Sequence, residues 1–181
     1  MSVHVDGARI FNAAVATGST VADLTKNVDT VSFCLSKGLS APSGSLLCGD
    51  KNFIHRARFN RKALGGGMRQ AGILAAAGIV AIDIMSEKII EDHLNAKALA
   101  GGIAKIDGII IETEKINTNI IYFKLDHPKV NSELLLETMG KKNIRFFELG
   151  PNWFRLVTHS GISKENIDYV ISEFDSFFSQ A

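Results

Sequence analysis

Several features that mark other classes of protein are scarce in this sequence of 181 residues. It contains two cysteines, Cys34 and Cys48, both in apolar runs, and we expect reduced, buried thiols rather than a disulfide framework. The formal net charge is +1 with no long block of one sign, which argues against a nucleic-acid tract or an anionic-membrane patch. The apolar run at 72–85 is too short for a membrane span. The first residues lack the pattern of a signal peptide, and we expect a cytoplasmic protein.

The remaining composition is typical of a globular protein, with 46% apolar and 22% charged residues. The sequence changes in character near residue 86, which predicts an α/β unit at 1–86 and a smaller α+β unit at 87–181. The helix expected at 68–85 is apolar on nearly all sides, which predicts burial between layers. The predicted strands are 3–5, 31–35, 45–48, 109–112, 120–125, 145–149 and 153–158. The predicted helices are 8–16, 51–64, 68–85, 88–106 with an interruption at Gly101-Gly102, 131–142 and 163–178.

One stretch, residues 31–44, combines an apolar strand with an unusual lysine. The apolar run 31–35 leads into a turn rich in Gly, Ser and Pro, with Lys37 at the junction. An ammonium group at the end of a buried strand is costly and tends to lose its proton. A neutral amine is what Schiff-base formation with an aldehyde requires. The alternative is an ordinary surface lysine in a loop.

A carboxylate and a glycine run accompany this lysine. Asp6 ends the first predicted strand, where open α/β sheets place ligands, and a carboxylate there could keep a pyridine nitrogen protonated. The alternative for Asp6 is a helix N-cap. Gly65-Gly66-Gly67 is expected to open a helix and to offer backbone N–H groups to an anion, or else to be a flexible break.

Arg155 stands among apolar residues in the predicted strand 153–158. A guanidinium in such a setting favours a planar anion such as a carboxylate. The alternative is an ion pair within the smaller unit. None of the histidines is assigned as a general base; they are His4, His55, His93, His127 and His159.

Four segments, in this order along the chain, resemble the low-specificity L-threonine aldolases. They are VHVDGARIFNAA at 3–14, SFCLSKGL at 32–39 with Ala41-Pro42 and Gly44-Ser45, Arg61-Lys62 through GGGMRQAG at 65–72, and RLVTH at 155–159. These are pyridoxal-phosphate enzymes of the aspartate-aminotransferase fold, fold type I. The resemblance therefore implies an α/β chain: part of the large cofactor-binding domain at 1–86, then the small α+β domain at 87–181.

The resemblance also implies roles for individual residues. Lys37 would be the catalytic lysine that forms the Schiff base with pyridoxal 5'-phosphate, and Asp6 the partner of its pyridine nitrogen. Arg9 and Arg155 resemble the pair that holds the substrate carboxylate. The implied reaction cleaves L-threonine or L-allo-threonine to glycine and an aldehyde.

Two further basic residues, Lys62 and Arg69, match positions near the family's active site and subunit interface and are expected to contact the cofactor. The resemblance implies a homo-oligomer and no metal. An alternative is another fold-type I activity, such as an aminotransferase or a carbon–sulfur lyase.

The amino-terminal half of the family pattern has no counterpart in this sequence. It carries the strands before the Asp-Gly-Ala-Arg motif, the turn that grips the cofactor phosphate and the histidine that stacks on its ring. We therefore expect the carboxyl-terminal half of such an enzyme, or slightly more, with sheet edge and apolar surface exposed. A non-catalytic half-enzyme that associates with a partner is the remaining alternative.

Overall fold

The computed structural model describes residues 1–180. The chain divides into two compact units, the first comprising Met1–Ile89 and the second running from Ile90 onward. The division predicted after residue 86 stays a prediction. The last residue of the predicted second unit, Ala181, lies outside the described residues. Each unit is described by itself.

The first unit contains a three-stranded sheet in the order β1-β2-β3. Strand β1 (His4–Asp6) is parallel to β2 (Thr30–Cys34), and β2 is antiparallel to β3 (Ser45–Cys48). The parallel register places Asp6 opposite Ser32. The predicted strands 3–5, 31–35 and 45–48 are thus confirmed to within one residue.

Four helices and one π-helical turn accompany this sheet. They are α1 (Ile10–Thr17), α2 (Val21–Thr25), α3 (Lys51–Ala63), α4 (Gly72–Val80) and the π-helical turn Ala81–Met85, after which α5 (Ser86–Ile103) begins. The side chain of Thr20 caps α2 in a capping box with Asp23, and Asp50 caps α3. The core consists of Ile10, Phe33, Leu35, Leu39, Ala41, Ala81 and Ile89.

The predicted burial of the apolar 68–85 helix is wrong for this chain. The helix starts later, at Gly72, and its buried residues are small: Gly78 in α4 and Ala81 in the π-helical turn. Ile73 is 81% exposed, and Ile79 and Ile84 are also exposed. Only one side of the helix meets the core, because no element among the described residues of this unit covers the other side.

The second unit contains a four-stranded antiparallel sheet in the order β4-β5-β7-β6. Its strands are β4 (Ile109–Ile110), β5 (Ile120–Leu125), β6 (Phe147–Gly150) and β7 (Trp153–Val157). The unit also contains α5 from Ile90 onward, helices α6 (Ser132–Lys141) and α7 (Lys164–Ser179), and a 3-10 turn at Thr113–Lys115. One sheet face carries the phenylalanine-rich core, including Phe123, Phe154 and Phe174. The strands predicted at 145–149 and 153–158 pair as an antiparallel hairpin, with a bulge between Glu148 and Gly150.

The predicted interruption at Gly101-Gly102 is wrong, because α5 continues through both glycines to Ile103. A Cβ on Gly102 would lie 2.3 Å from Cδ1 of Ile171, so this glycine permits close packing against α7 rather than a break. The predicted start of α7 is confirmed: Ser163 is its N-cap and forms a capping box with Asn166.

The cysteines are free, as predicted, but they are not buried. Cys48 is exposed and Cys34 is half-buried. Every residue of β3 is exposed, and all residues of β2 except Phe33 are only half-buried. Among the described helices, none has the length and apolar character needed to cross a membrane.

Candidate active site

Asp6 and Lys37 lie at the same edge of the first sheet. Asp6 is the last residue of β1, and Lys37 follows the end of β2. The two strands are parallel, so their carboxyl ends meet at one edge, the position at which α/β sheets bind ligands. The backbone N–H of Gly7 donates a 2.8 Å hydrogen bond to the carbonyl of Ser32 and holds the chain just after Asp6 against β2.

The segment that carries Lys37 is a tightly bonded turn rather than a loose loop. The Ser40 N–H donates to the carbonyl of Lys37, and the Ala41 N–H donates to the carbonyl of Leu35, each at 2.9 Å. The Leu35 N–H donates to the carbonyl of Gly44, also at 2.9 Å. Leu35 and Ala41 are buried. The fold therefore fixes the backbone on both sides of Lys37.

The side chain of Lys37 is exposed, so the expectation of an amine at a buried position is wrong for this chain. Strand β2 ends at Cys34, and the next core positions are taken by Leu35 and Leu39 on either side of the lysine. Lys37 has no ion-pair partner within residues 1–180. Its amine is available to react and is not committed to a structural ion pair.

Asp6 is not the N-cap of the following helix, which was the alternative role. The N-cap of α1 is Arg9, and no side chain caps that helix. Asp6 is exposed, and no salt bridge engages its carboxylate in the part of the chain that the structure describes. The carboxylate is therefore free to pair with a cation at this edge of the sheet.

Arg9 is half-buried at the start of α1, immediately after the turn that follows Asp6. Its Nε atom is buried and has no hydrogen-bond partner. A buried donor without a partner carries a desolvation cost, which an anionic ligand would relieve. Arg9 thus fits the role of an anion-binding residue in the first unit.

Arg155 has the same property in the second unit. It lies on β7 between Tyr122 of β5 and Phe147 of β6, on the sheet face opposite the buried Phe154 and Leu156. Its Nε is buried without a hydrogen-bond partner, and no ion pair to Arg155 occurs among residues 1–180. The alternative, an arginine paired within the smaller unit, is therefore not found.

Lys62 and Arg69 are both exposed. Lys62 is near the end of α3, and its side chain packs along Gly67, where a Cβ would lie 2.9 Å from Cδ of Lys62. Gly65-Gly66-Gly67 turns back on α3, and the Gly66 N–H donates to the carbonyl of Arg61 at 2.8 Å. The glycine run does not itself open a helix, because α4 begins only at Gly72.

Two polar residues of the first unit were given no role from the sequence. His4 of β1 is 2.8 Å from the Thr30 hydroxyl through Nδ1 and 3.4 Å from the Ser32 hydroxyl through Nε2. Asn12 of α1 is buried against the lysine turn. The sequence shows Asn12 only as an amide within an apolar helix, and this pattern does not reveal which group the amide contacts.

A cluster of buried polar groups lies in the second unit, near the end of β7. The Thr158 hydroxyl donates a 2.6 Å hydrogen bond to the main-chain carbonyl of Asp92. Burial raises the pKa of the Asp92 carboxyl to about 6, and attraction to His159 partly opposes that rise. Thr158 and His159 also line a cavity of about 490 Å³. No sequence pattern pointed to Asp92.

The structure thus describes an α/β chain with a lysine and a carboxylate at the carboxyl ends of two parallel strands, and two arginines whose Nε atoms are buried without a hydrogen-bond partner. A family model described as beta-eliminating lyase matches residues 1–126. The chain belongs to the beta-eliminating lyase family.

Curated relatives narrow the resemblance further. The low-specificity L-threonine aldolase of Escherichia coli strain K12 is 39% identical over 180 residues, which cover 99% of this chain and 52% of that protein. The low-specificity L-threonine aldolase 1 of Arabidopsis thaliana is 39% identical over 175 residues, which cover 96% of this chain and 49% of that protein. The chain spans about half the length of the curated relatives it matches. The predicted resemblance to this family is confirmed.

Solved structures show the same fold. A threonine aldolase from Leishmania major has a TM-score of 0.76 at 16% identity, over 98% of this chain and 52% of that one. A structure of SPT with a PLP internal aldimine has a TM-score of 0.70 at 17% identity, over 96% of this chain and 46% of that one. The predicted fold class, part of a fold-type I enzyme, is confirmed.

Proposed function

We propose that this chain supplies the lysine-bearing half of a pyridoxal-phosphate-dependent aldolase. The substrates are L-threonine and L-allo-threonine, and the products are glycine and an aldehyde. The observation that carries the proposal is the placement of Lys37 and Asp6 at the carboxyl ends of two adjacent parallel strands. The proposal is supported by the chain's membership of the beta-eliminating lyase family and by its 39% identity to a low-specificity threonine aldolase.

The residues of the first unit fit this cofactor. Pyridoxal phosphate, when bound, supplies an aldehyde that condenses with an amine and a protonated ring that withdraws electrons from the amino acid's Cα. Lys37 presents an unpaired amine for that condensation. Asp6 would keep the proton on the ring nitrogen. Lys62 and Arg69, both exposed cations, would contact the cofactor.

Arg9 and Arg155 are proposed to hold the substrate carboxylate. Each has a buried Nε with no partner, and a bidentate carboxylate is the anion that a guanidinium binds best. Fixing the carboxylate orients the bonds at Cα and so selects which one breaks. The general base for the β-hydroxyl proton is not assigned to any residue of this chain.

The proposal includes a homo-oligomer in the cytoplasm. The exposed apolar side chains of α4 and its π-helical extension, among them Ile73 and Ile84, are the surface such an assembly would cover. The free thiols Cys34 and Cys48 suit a reducing compartment.

The test is covalent capture of pyridoxal phosphate on one lysine. The 181-residue chain is incubated with the cofactor, its Schiff-base absorbance is recorded, and the product is reduced with borohydride and mapped by mass spectrometry. A chimera that takes its amino-terminal part from the Escherichia coli relative is run beside it. We expect the label on Lys37, loss of it in Lys37→Ala, and retention in the exposed control Lys26→Ala. Labelling spread evenly over the lysines in both proteins would refute the proposal.

A second candidate is a chain that binds cofactor only when completed by a partner. The exposed face of α4 favours it, because a single unit does not leave several isoleucines in water without cost. This candidate predicts Lys37 labelling in the chimera and none in the chain alone. Acetaldehyde release from threonine by the chimera would separate an aldolase from an aminotransferase or a carbon–sulfur lyase.

A further inference from the structure

Asn12 is a buried polar residue in an apolar part of the first unit. It lies on α1 and is 2% exposed, and no other polar side chain among residues 1–89 is buried. Its neighbours on the helix, Ile10 and Ala14, belong to the apolar interior. A buried amide is costly unless it interacts within the fold, and Asn12 does so. Such a residue specifies one local arrangement in preference to others.

The Asn12 side chain packs directly on the residue that follows Lys37. A Cβ built on Gly38 would lie 2.6 Å from Oδ1 of Asn12, closer than real Cβ contacts approach. The φ angle of Gly38 is not in the left-handed region, so glycine is needed here for space and not for conformation. The amide of Asn12 therefore occupies the place that any larger residue at position 38 would need.

The other side of the lysine turn is held as well. Gly78 of α4 lies close to Leu35, where a Cβ would be 3.1 Å from Cδ1. Leu39 is buried in the same core. The turn is thus fixed between α1 on one side and α4 on the other, with the exposed Lys37 side chain left free.

We infer that Asn12 is a positioning residue that sets the place of the Lys37 amine through its contact with Gly38. This inference rests on the proposed function, in which Lys37 carries the chemistry. Arg9 is the N-cap residue of the same helix, about one turn before Asn12. Helix α1 would therefore fix the amine and one carboxylate-binding group relative to each other.

The first measurement needs no cofactor. Hydrogen exchange of the amides at 35–44 is compared in the parent, Asn12→Ala, Gly38→Ala, the double variant and the exposed control Asn52→Ala. We expect exchange in the turn to rise about tenfold in Asn12→Ala, because an interacting buried group is lost, while α3 is unchanged. Once the amide at position 12 is removed, a Cβ at position 38 no longer meets it, so the double variant should resemble Asn12→Ala instead of adding both effects.

The second measurement is borohydride capture of pyridoxal phosphate on Lys37, expressed relative to Lys26 in the same sample. Displacing the amine should lower this ratio about tenfold or more in Asn12→Ala and Gly38→Ala, and leave it unchanged in Asn52→Ala. Thermal melting of each variant identifies a temperature at which all of them are folded, and capture is compared there, so that unfolding does not contribute to the change in the ratio.

The two measurements separate the two claims. Unchanged turn exchange in Asn12→Ala, or effects of Asn12→Ala and Gly38→Ala that simply add, would overturn the positioning role. Absence of Lys37 capture in the parent chain and in the chimera would overturn the proposed function, while the exchange data would still decide whether Asn12 holds the turn.

Discussion

Replacing Asp92 with asparagine should stabilise the second unit at pH 8 and have little effect near pH 4. Burial raises the pKa of the Asp92 carboxyl from 3.8 to about 6, and the residue is 3% exposed. A carboxyl with a raised pKa in the folded state binds its proton more tightly there than in the unfolded chain. Its stabilising contribution is complete below pH 3.8 and is lost as the pH rises through 6.

The size of the effect follows from the shift. A rise from 3.8 to about 6 corresponds to at most about 3 kcal/mol in the free energy of unfolding. The attraction to His159 is already contained in this net shift, and residual solvent screening reduces the free energy further, so we expect a gain of roughly 1–3 kcal/mol for Asp92→Asn at pH 8. The Thr158 hydroxyl bonds the main-chain carbonyl of residue 92, so the substitution leaves that hydrogen bond in place.

Urea unfolding followed by tryptophan fluorescence measures this gain in the relevant unit. Trp153 is the single tryptophan, it lies on β7 of the second unit, and it is 48% exposed. Asp168→Asn on α7 makes the same change of charge at an exposed position and serves as the control. An equal gain at pH 4 and pH 8, or a gain matched by Asp168→Asn, would refute the reasoning.

Two further substitutions test the second unit. Phe154 is 0% exposed and stacks on Phe123 with ring centroids 4.9 Å apart, so Phe154→Ala should cost about 3–5 kcal/mol of unfolding free energy, measured by the same Trp153 fluorescence; a loss under about 1 kcal/mol would contradict the described core. Arg155→Leu removes a buried donor that has no partner, so urea unfolding should show no loss of stability. In the chimera the same change should raise the KM for threonine about tenfold or more, and an unchanged KM would exclude Arg155 from substrate binding.

The elements that the sequence predicted well are those with strong local signals. The Gly-Pro-Asn turn after 149 marked the connection between the strands predicted at 145–149 and 153–158, which pair in the second sheet. Helix α7 begins where the range 163–178 was predicted, because the capping box of Ser163 and Asn166 is set by residues close in sequence. The family motifs likewise marked Asp6 and Lys37, whose common edge then followed from parallel pairing of β1 and β2.

The features that were missed depend on what packs against a segment. The apolar composition of α4 predicted burial, yet Ile73 is in water, since burial requires a covering element that the described part of this unit does not provide. Gly102 looked like a helix breaker, but Ile171 occupies the space beside it. The contact of Asn12 with Gly38 joins residues far apart in sequence, so no local pattern could show it.

The exposure of Lys37 separates two requirements of the proposed chemistry. The position of the amine is set within the first unit, by the hydrogen-bonded turn at 35–44 and by Asn12 beneath it. The dry surroundings that favour a neutral amine are not set there, because the Lys37 side chain meets solvent. The position of the amine thus comes from side-chain packing within the first unit. Desolvation of the amine must come from the bound cofactor and from the surfaces that cover this edge of the sheet. Capture on Lys37 that is selective in the chain but faster in the chimera would show the two contributions separately.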